Sequence, residues 1–199
     1  MGAWLGEPRR LTGLMLSAMC GAPYNQHNAM LYGSDMGLSG HQSARMKNDE
    51  WLTPPEVLRP LGTFDLDPCA PIVRPWDTAK HHFTVKDDGL SKKWFGRVWC
   101  NPPFGREAVK WLRRMAEHGN GVALIPARTE TAMFYETVWG AAAGVLFLKS
   151  RPHFHFVDGS RAAFNSGAPI CLVAYGADNL KILQESGLGA VVTECRDAA

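Results

Sequence analysis

Residues 97–127 read RVWCNPPFGREAVKWLRRMAEHGNGVALIPA. Arg97 to Cys100 is a short apolar run of strand type, and Asn101-Pro102-Pro103 ends it abruptly, because consecutive prolines remove backbone donors and fix φ. From Arg106 to His118 the apolar residues Ala108, Val109, Trp111, Leu112 and Met115 recur at the spacing of a helix with one buried face. Gly121 to Ala127 is almost continuously apolar, the pattern of a strand covered on both sides. Strand, helix and strand in direct succession form a βαβ unit, and that unit predicts an α/β fold.

The alternation continues outward from this unit. Upstream, Pro54-Pro55 can start a helix through Glu56, Val57 and Leu58, and Phe64 to Cys69 reads as a strand stopped by Pro68. Residues 71–90 lack periodicity and read as loop with one short strand. Downstream, Thr129 to Ala143 reads as helix with Thr129 as N-cap, Gly144 to Lys149 as strand, and Ala168 to Tyr175 as a further apolar strand. Between those strands, His153 to Val157 alternates like a strand and Asp158-Gly159 makes a turn. A helix near Asn179 to Glu185 and a strand at Val191 to Thr193 finish the pattern. The expectation is an α/β sandwich with a mainly parallel sheet. Residues 1–43 are expected to be an N-terminal extension, partly disordered; 44–176 the catalytic domain; and 177–199 a C-terminal helix and strand tail.

Composition narrows the function classes. The 199 residues suit one domain with one sizeable core, and a formal charge of +2 is too small to demand a polyanion partner. Charge is nonetheless concentrated. Lys92, Lys93, Arg97, Arg106, Lys110, Arg113 and Arg114 face only Glu107 and Glu117 between Ser91 and His118, which suits a phosphate backbone and equally a solvated helix face. Five cysteines without a C-x-x-C pair argue against a disulfide scaffold and a thiolate zinc site. His81-His82 diverge and His153 and His155 alternate along a strand, so no metal is expected. Arg9-Arg10 with Leu11 to Ala22 only faintly imitates a signal peptide, and no run approaches the roughly 20 apolar residues of a membrane span. A reducing cytoplasm is the expected compartment.

In an open α/β sheet, ligands bind beyond the carboxyl ends of the strands. Two strands here end in a polar residue followed by proline: Asp67-Pro68-Cys69-Ala70 and Asn101-Pro102-Pro103-Phe104. The second suits methylation of an exocyclic amine, whose lone pair is delocalised into its ring. An amide oxygen from Asn101 and the carbonyl of Pro102 can accept from the two amine protons and draw the nitrogen toward a nucleophilic, tetrahedral geometry. Pro103 stiffens the loop, and Phe104 offers a face for a base turned out of its duplex. A strand-ending proline turn with Phe104 in the core would leave the same sequence trace.

N-P-P-[Y/F] at this place resembles motif IV of the amino-methyltransferases. Glu50 to Val57 (EWLTPPEV), Leu66 to Ala70 (LDPCA), Asp88-Gly89-Leu90 with Trp94, and Val98 to Phe104 (VWCNPPF), in that order, are together similar to the phage-type Dam-like DNA N-6-adenine methyltransferase family, over roughly residues 43–176. The resemblance implies a Rossmann-like methyltransferase fold, S-adenosylmethionine as cofactor, duplex DNA as partner and a bacterial host. It places Trp51, Thr53 and Pro54 at the cofactor's methionine carboxylate. Asp67, Pro68, Cys69 and Ala70 fall at its amino end, with Asp67 pairing the ammonium group, and Asp88 lies near its adenine.

Two departures qualify this likeness. Ala70-Pro71 stands where methyltransferases carry a glycine-rich turn, and Asp67 and Asn101 are only 34 positions apart, so no residue is assignable to the cofactor ribose. No long recognition region exists either; that task falls to Arg151 to Ser166, with Arg151 and Arg161 joining Arg106, Lys110, Arg113 and Arg114 as candidate DNA contacts. The same loop chemistry also fits N4-cytosine methylation of DNA, adenine methylation of RNA or N5-methylation of a protein glutamine. A catalytically inactive α/β module that binds DNA is the alternative of another class. A nucleotide-binding enzyme is disfavoured by the lack of a P-loop or G-x-G-x-x-G.

Overall fold

The computed structural model describes residues 50–193. The expected extension at 1–43, Cys20 and Cys195 lie outside the described residues. The elements are α1 (Pro55–Leu58), which runs into a 3-10 turn at Arg59–Leu61, β1 (Leu66–Asp67), β2 (His81–His82), β3 (Val98–Cys100), α2 (Ala108–His118), β4 (Gly121–Pro126), α3 (Ala132–Phe134), a π-helical turn at Tyr135–Trp139, β5 (Gly144–Leu148), β6 (Ile170–Tyr175), α4 (Ala177–Glu185) and β7 (Gly189–Thr193).

Seven strands form one sheet in the order β2-β1-β3-β4-β6-β5-β7. The pairings β2–β1, β1–β3 and β3–β4 are parallel, whereas β4–β6, β6–β5 and β5–β7 are antiparallel. The expectation of a mainly parallel sheet is therefore corrected to a mixed one. An apolar run such as Ile170–Tyr175, buried along its whole length, has the same pattern whichever way it points. Direction is set by the connection. Residues 149–169 contain no helix to carry a crossover, so the chain returns beside β5 as an antiparallel neighbour. Of the segments set apart as a C-terminal tail, β7 pairs with β5 and extends this half of the sheet, while α4 packs against it through Leu183.

The sheet divides the core into two layers. Val98, Cys100, Ala123, Ile125, Cys171 and Val173 pack with Leu112 and Met115 of α2 and with Phe134 and Val138, while Trp99, Val122, Leu124, Leu172 and Ala174 pack with Val57, Leu61, Phe64 and Leu183. The period-2 alternation of strand side chains puts successive residues of β3, β4 and β6 into opposite layers. Helix α2 starts at Ala108, two residues later than expected, and ends as expected at His118, where Gly119 turns left-handed (φ 71°), its N–H donating to Met115 O at 2.9 Å. The helix expected over 129–143 is shorter. Thr131 rather than Thr129 caps it, accepting from Phe134 N at 3.3 Å, because the Thr129 carbonyl is taken by Trp139 Nε1 at 3.2 Å. His153 to Val157 forms two isolated bridges, Leu52 with His155 and His155 with Arg161, instead of a strand.

Residues 83–97 fold over the end of β1. Trp94 Nε1 donates to Gly89 O at 2.8 Å, and this buried bond seats Gly89 so tightly that a Cβ there would lie 1.9 Å from the Pro68 carbonyl oxygen. Gly89→Ala should therefore push the 88–90 turn away from Pro68 and destabilise the protein by about 1–3 kcal/mol, the usual cost of overpacking. A thermal midpoint equal to wild type would show that this contact is slack.

Candidate functional site

The order of the sheet decides where a site can form. From β1 the chain moves outward to β2, then crosses back over β1 to β3, so the connections leaving β1 and β3 diverge. Such a switch point opens a crevice at the carboxyl ends of the two strands. Asp67-Pro68-Cys69-Ala70 follows β1 there and Asn101-Pro102-Pro103-Phe104 follows β3. The two loops touch directly: the Cys69 thiol donates to the Asn101 carbonyl at 3.3 Å and lies 3.7 Å from the Cys100 sulfur. That hydrogen bonding between thiols, with burial, raises the Cys69 pKa well above the ordinary range, so the sulfur is held as a thiol.

Asp67 is 3% exposed. Its Oδ1 accepts from Cys69 N at 3.1 Å and its Oδ2 from Thr78 Oγ1 at 2.5 Å. Burial raises its pKa to about 6, against the opposing pull of those hydrogen bonds and of Arg74. Pro68 lies under Gly89, which brings Asp88 beside this loop; Asp88 itself is exposed and adopts a left-handed φ of 52°. Ala70 is buried, its N–H donating to Phe83 O at 2.9 Å.

The strap formed by residues 50–54 lies across the second loop. Asn101 Nδ2 donates to the Trp51 carbonyl at 2.9 Å, which leaves the buried Asn101 Oδ1 without a donor. Leu52 exchanges both backbone hydrogen bonds with His155, at 2.9 and 3.0 Å, and so ties the strap to the excursion between β5 and β6. Thr53 is buried, yet its hydroxyl has no partner and Pro54 is the residue at the N-cap of α1. The Trp51 ring packs on Phe156 with centroids 5.0 Å apart, Trp76 meets His155 edge-on at 5.2 Å, and Phe104 meets Phe154 at 6.1 Å. Phe104 itself remains 38% exposed.

Buried polar atoms without partners concentrate here. Trp51 Nε1, Thr53 Oγ1, Trp76 Nε1, Asn101 Oδ1 and His155 Nδ1 account for five of the seven among the described residues, the others being on Arg97 and Arg114. Each such atom costs roughly 1–3 kcal/mol while it stays unpaired. Their concentration on the strap, on Asn101 beneath it and on the Trp76–His155 contact marks a surface built to receive polar groups. The structure thus joins Trp51, Thr53, Asp67, Pro68, Cys69 and Asn101 around one crevice, with Asp88 and Phe104 at its borders. Sequence reasoning missed Trp76 and Thr78, which lie in an aperiodic stretch where a tryptophan between charged residues was the only signal. It also missed the packing roles of Phe154 and Phe156.

The candidate DNA contacts separate into two groups. Lys110 pairs with Glu107 at 2.7 Å, Arg114 with Glu117 at 3.2 Å, and Arg113 forms a two-point pair with Glu136. Arg114 also lies over the Trp94 ring, 5.8 Å from its centroid. Arg106, Arg151 and Arg161 are exposed and have no ion-pair partner among the described residues. Arg151 and Arg161 share the β5–β6 excursion with Phe164, which is 86% exposed. Among the described residues no group of three His, Cys, Asp or Glu side chains gathers, and no helix is long and apolar enough to cross a membrane.

Comparison with known proteins adds one finding to this geometry. The family model described as DNA N-6-adenine-methyltransferase (Dam) matches residues 40–182, a span that holds the strap, both strand-end loops and the β5–β6 excursion. No curated protein and no solved structure matches the chain. The match covers most of the sequence and all of the crevice, and the chain belongs to the DNA N-6-adenine-methyltransferase (Dam) family.

Proposed function

We propose that the chain methylates N6 of an adenine turned out of duplex DNA, with S-adenosylmethionine as the donor and Asn101 to Phe104 as the catalytic loop. One observation carries this reading: Asn101 spends its Nδ2 on the Trp51 carbonyl, and so holds a buried, unpaired Oδ1 at the end of β3. The bond to Trp51 fixes which way the amide faces. An acceptor held this way needs little reorganisation when charge develops in front of it.

The crevice fits the cofactor by the chemistry of its donors and acceptors. Thr53 Oγ1 offers an unpaired hydroxyl to a carboxylate, and Asp67 an acidic group to an ammonium. S-adenosylmethionine, when bound, supplies a methyl group on a positively charged sulfur. Asn101 Oδ1 accepts from one proton of the adenine amine and the Pro102 carbonyl from the other, which localises the nitrogen lone pair for bond formation. The amine sheds one proton to solvent as it becomes a secondary amine. Phe104, braced against Phe154, provides the face on which the base stacks.

The duplex approaches from the side of the β5–β6 excursion in this reading. Of the six candidate contacts, Arg106, Arg151 and Arg161 have no ion pair among the described residues and can neutralise phosphates, while a contact by Arg113 would first break its pair with Glu136. Exposed Phe156 and Phe164 lie on the same excursion and suit contact with bases.

Asn101→Ala should lower turnover by about 100- to 1,000-fold, the usual loss for one such acceptor or donor, with S-adenosylmethionine affinity near wild type. Nucleoside analysis after incubation with labelled cofactor and DNA checks the chemistry. N4-methylcytosine as the sole product would overturn the adenine assignment, and an unaltered rate in Asn101→Ala would make the loop structural.

Replacing Arg151 and Arg161 together with Gln should flatten the slope of log K against log salt by roughly one to two, because each lost phosphate contact removes about 0.9. Arg113→Gln should leave the slope near wild type. The reverse pattern in binding titrations over a range of salt would move the DNA to the α2 face.

A further inference from the structure

The segment after β1, where a glycine-rich turn is absent, is latched in place. Arg74 Nη1 donates to Pro71 O at 3.2 Å and Arg74 Nε to Asp77 Oδ1 at 3.0 Å, and Ala79 N donates to His82 Nε2 at 3.3 Å. Its outer edge is fixed by the Trp76–His155 contact and by Pro75, whose ring lies within 3.1 Å of where a Cβ on Gly159 would be. Held in this way, the segment returns Thr78 to the carboxyl end of β1, where its hydroxyl reaches Asp67 Oδ2. Resting on the reading of Asp67 as the partner of the cofactor's ammonium group, we infer that Thr78 is a positioning residue. Its hydroxyl fixes the Asp67 carboxylate in the orientation and the ionised state that the cofactor's amino group requires.

A carboxylate this deeply buried loses hydration, and its neutral form is favoured unless donors replace the water. Burial outweighs every opposing influence and leaves the Asp67 pKa at about 6, and the Thr78 hydroxyl is the largest opposing contribution, ahead of Cys69 N–H and Arg74. The other titratable groups nearby supply little compensation. His82, the register partner of Asp67 on β2, is held below its usual range by burial. Asp77 is engaged by Arg74, and 3.7 Å separates it from His82 Nε2. Cys69, its pKa raised by hydrogen bonding with Cys100 and by burial, contributes a neutral thiol. Removing the Thr78 hydroxyl therefore changes no net charge, yet it lifts the pH at which Asp67 ionises toward neutrality.

The test uses the full chain and two readouts. Carbon-13 resonances of the Asp67 carboxyl, followed by titration of the free protein, should move upward by about one pH unit in Thr78→Val and return to wild type in Thr78→Ser, as expected for loss of one hydrogen bond to the ionised form. S-adenosylmethionine affinity, measured from pH 5 to 8, should fall on the acid side of about 6 in wild type and at a correspondingly higher pH in Thr78→Val. 5′-Methylthioadenosine, which lacks the amino-acid arm, should bind wild type and Thr78→Val alike. An Asp67 titration unchanged in Thr78→Val, in a chain that keeps its circular dichroism spectrum, overturns the inference. If Thr78→Val moves the titration while Asp67→Asn binds S-adenosylmethionine as tightly as wild type, the ammonium contact itself is wrong, and with it the role assigned to Thr78.

Discussion

β1 and β3 are parallel neighbours whose following connections diverge, and the candidate site is a consequence of that one constraint. Where the chain leaves two adjacent strands in opposite directions, the connections part and leave a crevice beyond the carboxyl ends. The two loops that start there carry an aspartate and an asparagine as their first polar groups. A Cys69 thiol donating to the Asn101 carbonyl locks them to each other across the gap. Shifting either strand by one residue would send Asp67 or Asn101 to the other face of the sheet, since strand side chains alternate. Full burial of Val98, Trp99 and Cys100 in both core layers resists such a slip.

The crevice is organised by restricting its polar groups more than by exposing them. Asn101 is held by one amide hydrogen bond so that its oxygen stays unpaired, and Asp67 is held by two donors in a setting that opposes its charge. Buried polar atoms without partners are normally rare because each leaves a desolvation cost uncompensated. Their concentration around Trp51, Thr53, Trp76, Asn101 and His155 gives a ligand a large differential gain. The strap and the β5–β6 excursion close the crevice through backbone pairing of Leu52 with His155 and through the Trp51–Phe156 and Trp76–His155 contacts. Backbone pairing fixes their relative position regardless of side-chain identity, which leaves the aromatic residues free to serve the surface they line.

Charge on the protein follows a similar division. The basic side of α2 is largely consumed by intramolecular pairs with Glu107, Glu117 and Glu136. Exposed pairs of this kind contribute little to stability, but they lower the positive potential that α2 presents. Arg106, just after the loop that follows β3, and Arg151 and Arg161, on the β5–β6 excursion, have no such pair among the described residues.

Much of this was legible before any coordinates. The βαβ unit at 97–127, the strand stops at Pro68 and Pro102, and the amphipathic face of α2 follow from local rules: proline removes donors, and apolar spacing reports which faces are buried. The family resemblance was equally local, since its motifs are short and lie at strand ends. Tertiary structure decided what depends on pairing between distant segments. The antiparallel insertion of β6 was invisible because a fully buried strand looks the same in both directions. Glu136, 23 positions from Arg113, had no sequence signal as its partner. Thr78 reaches Asp67 only because the intervening loop is folded back and latched. Periodicity records how a residue relates to its own helix or strand; an aperiodic loop carries no such record, so its contacts are set by where the rest of the chain places its ends.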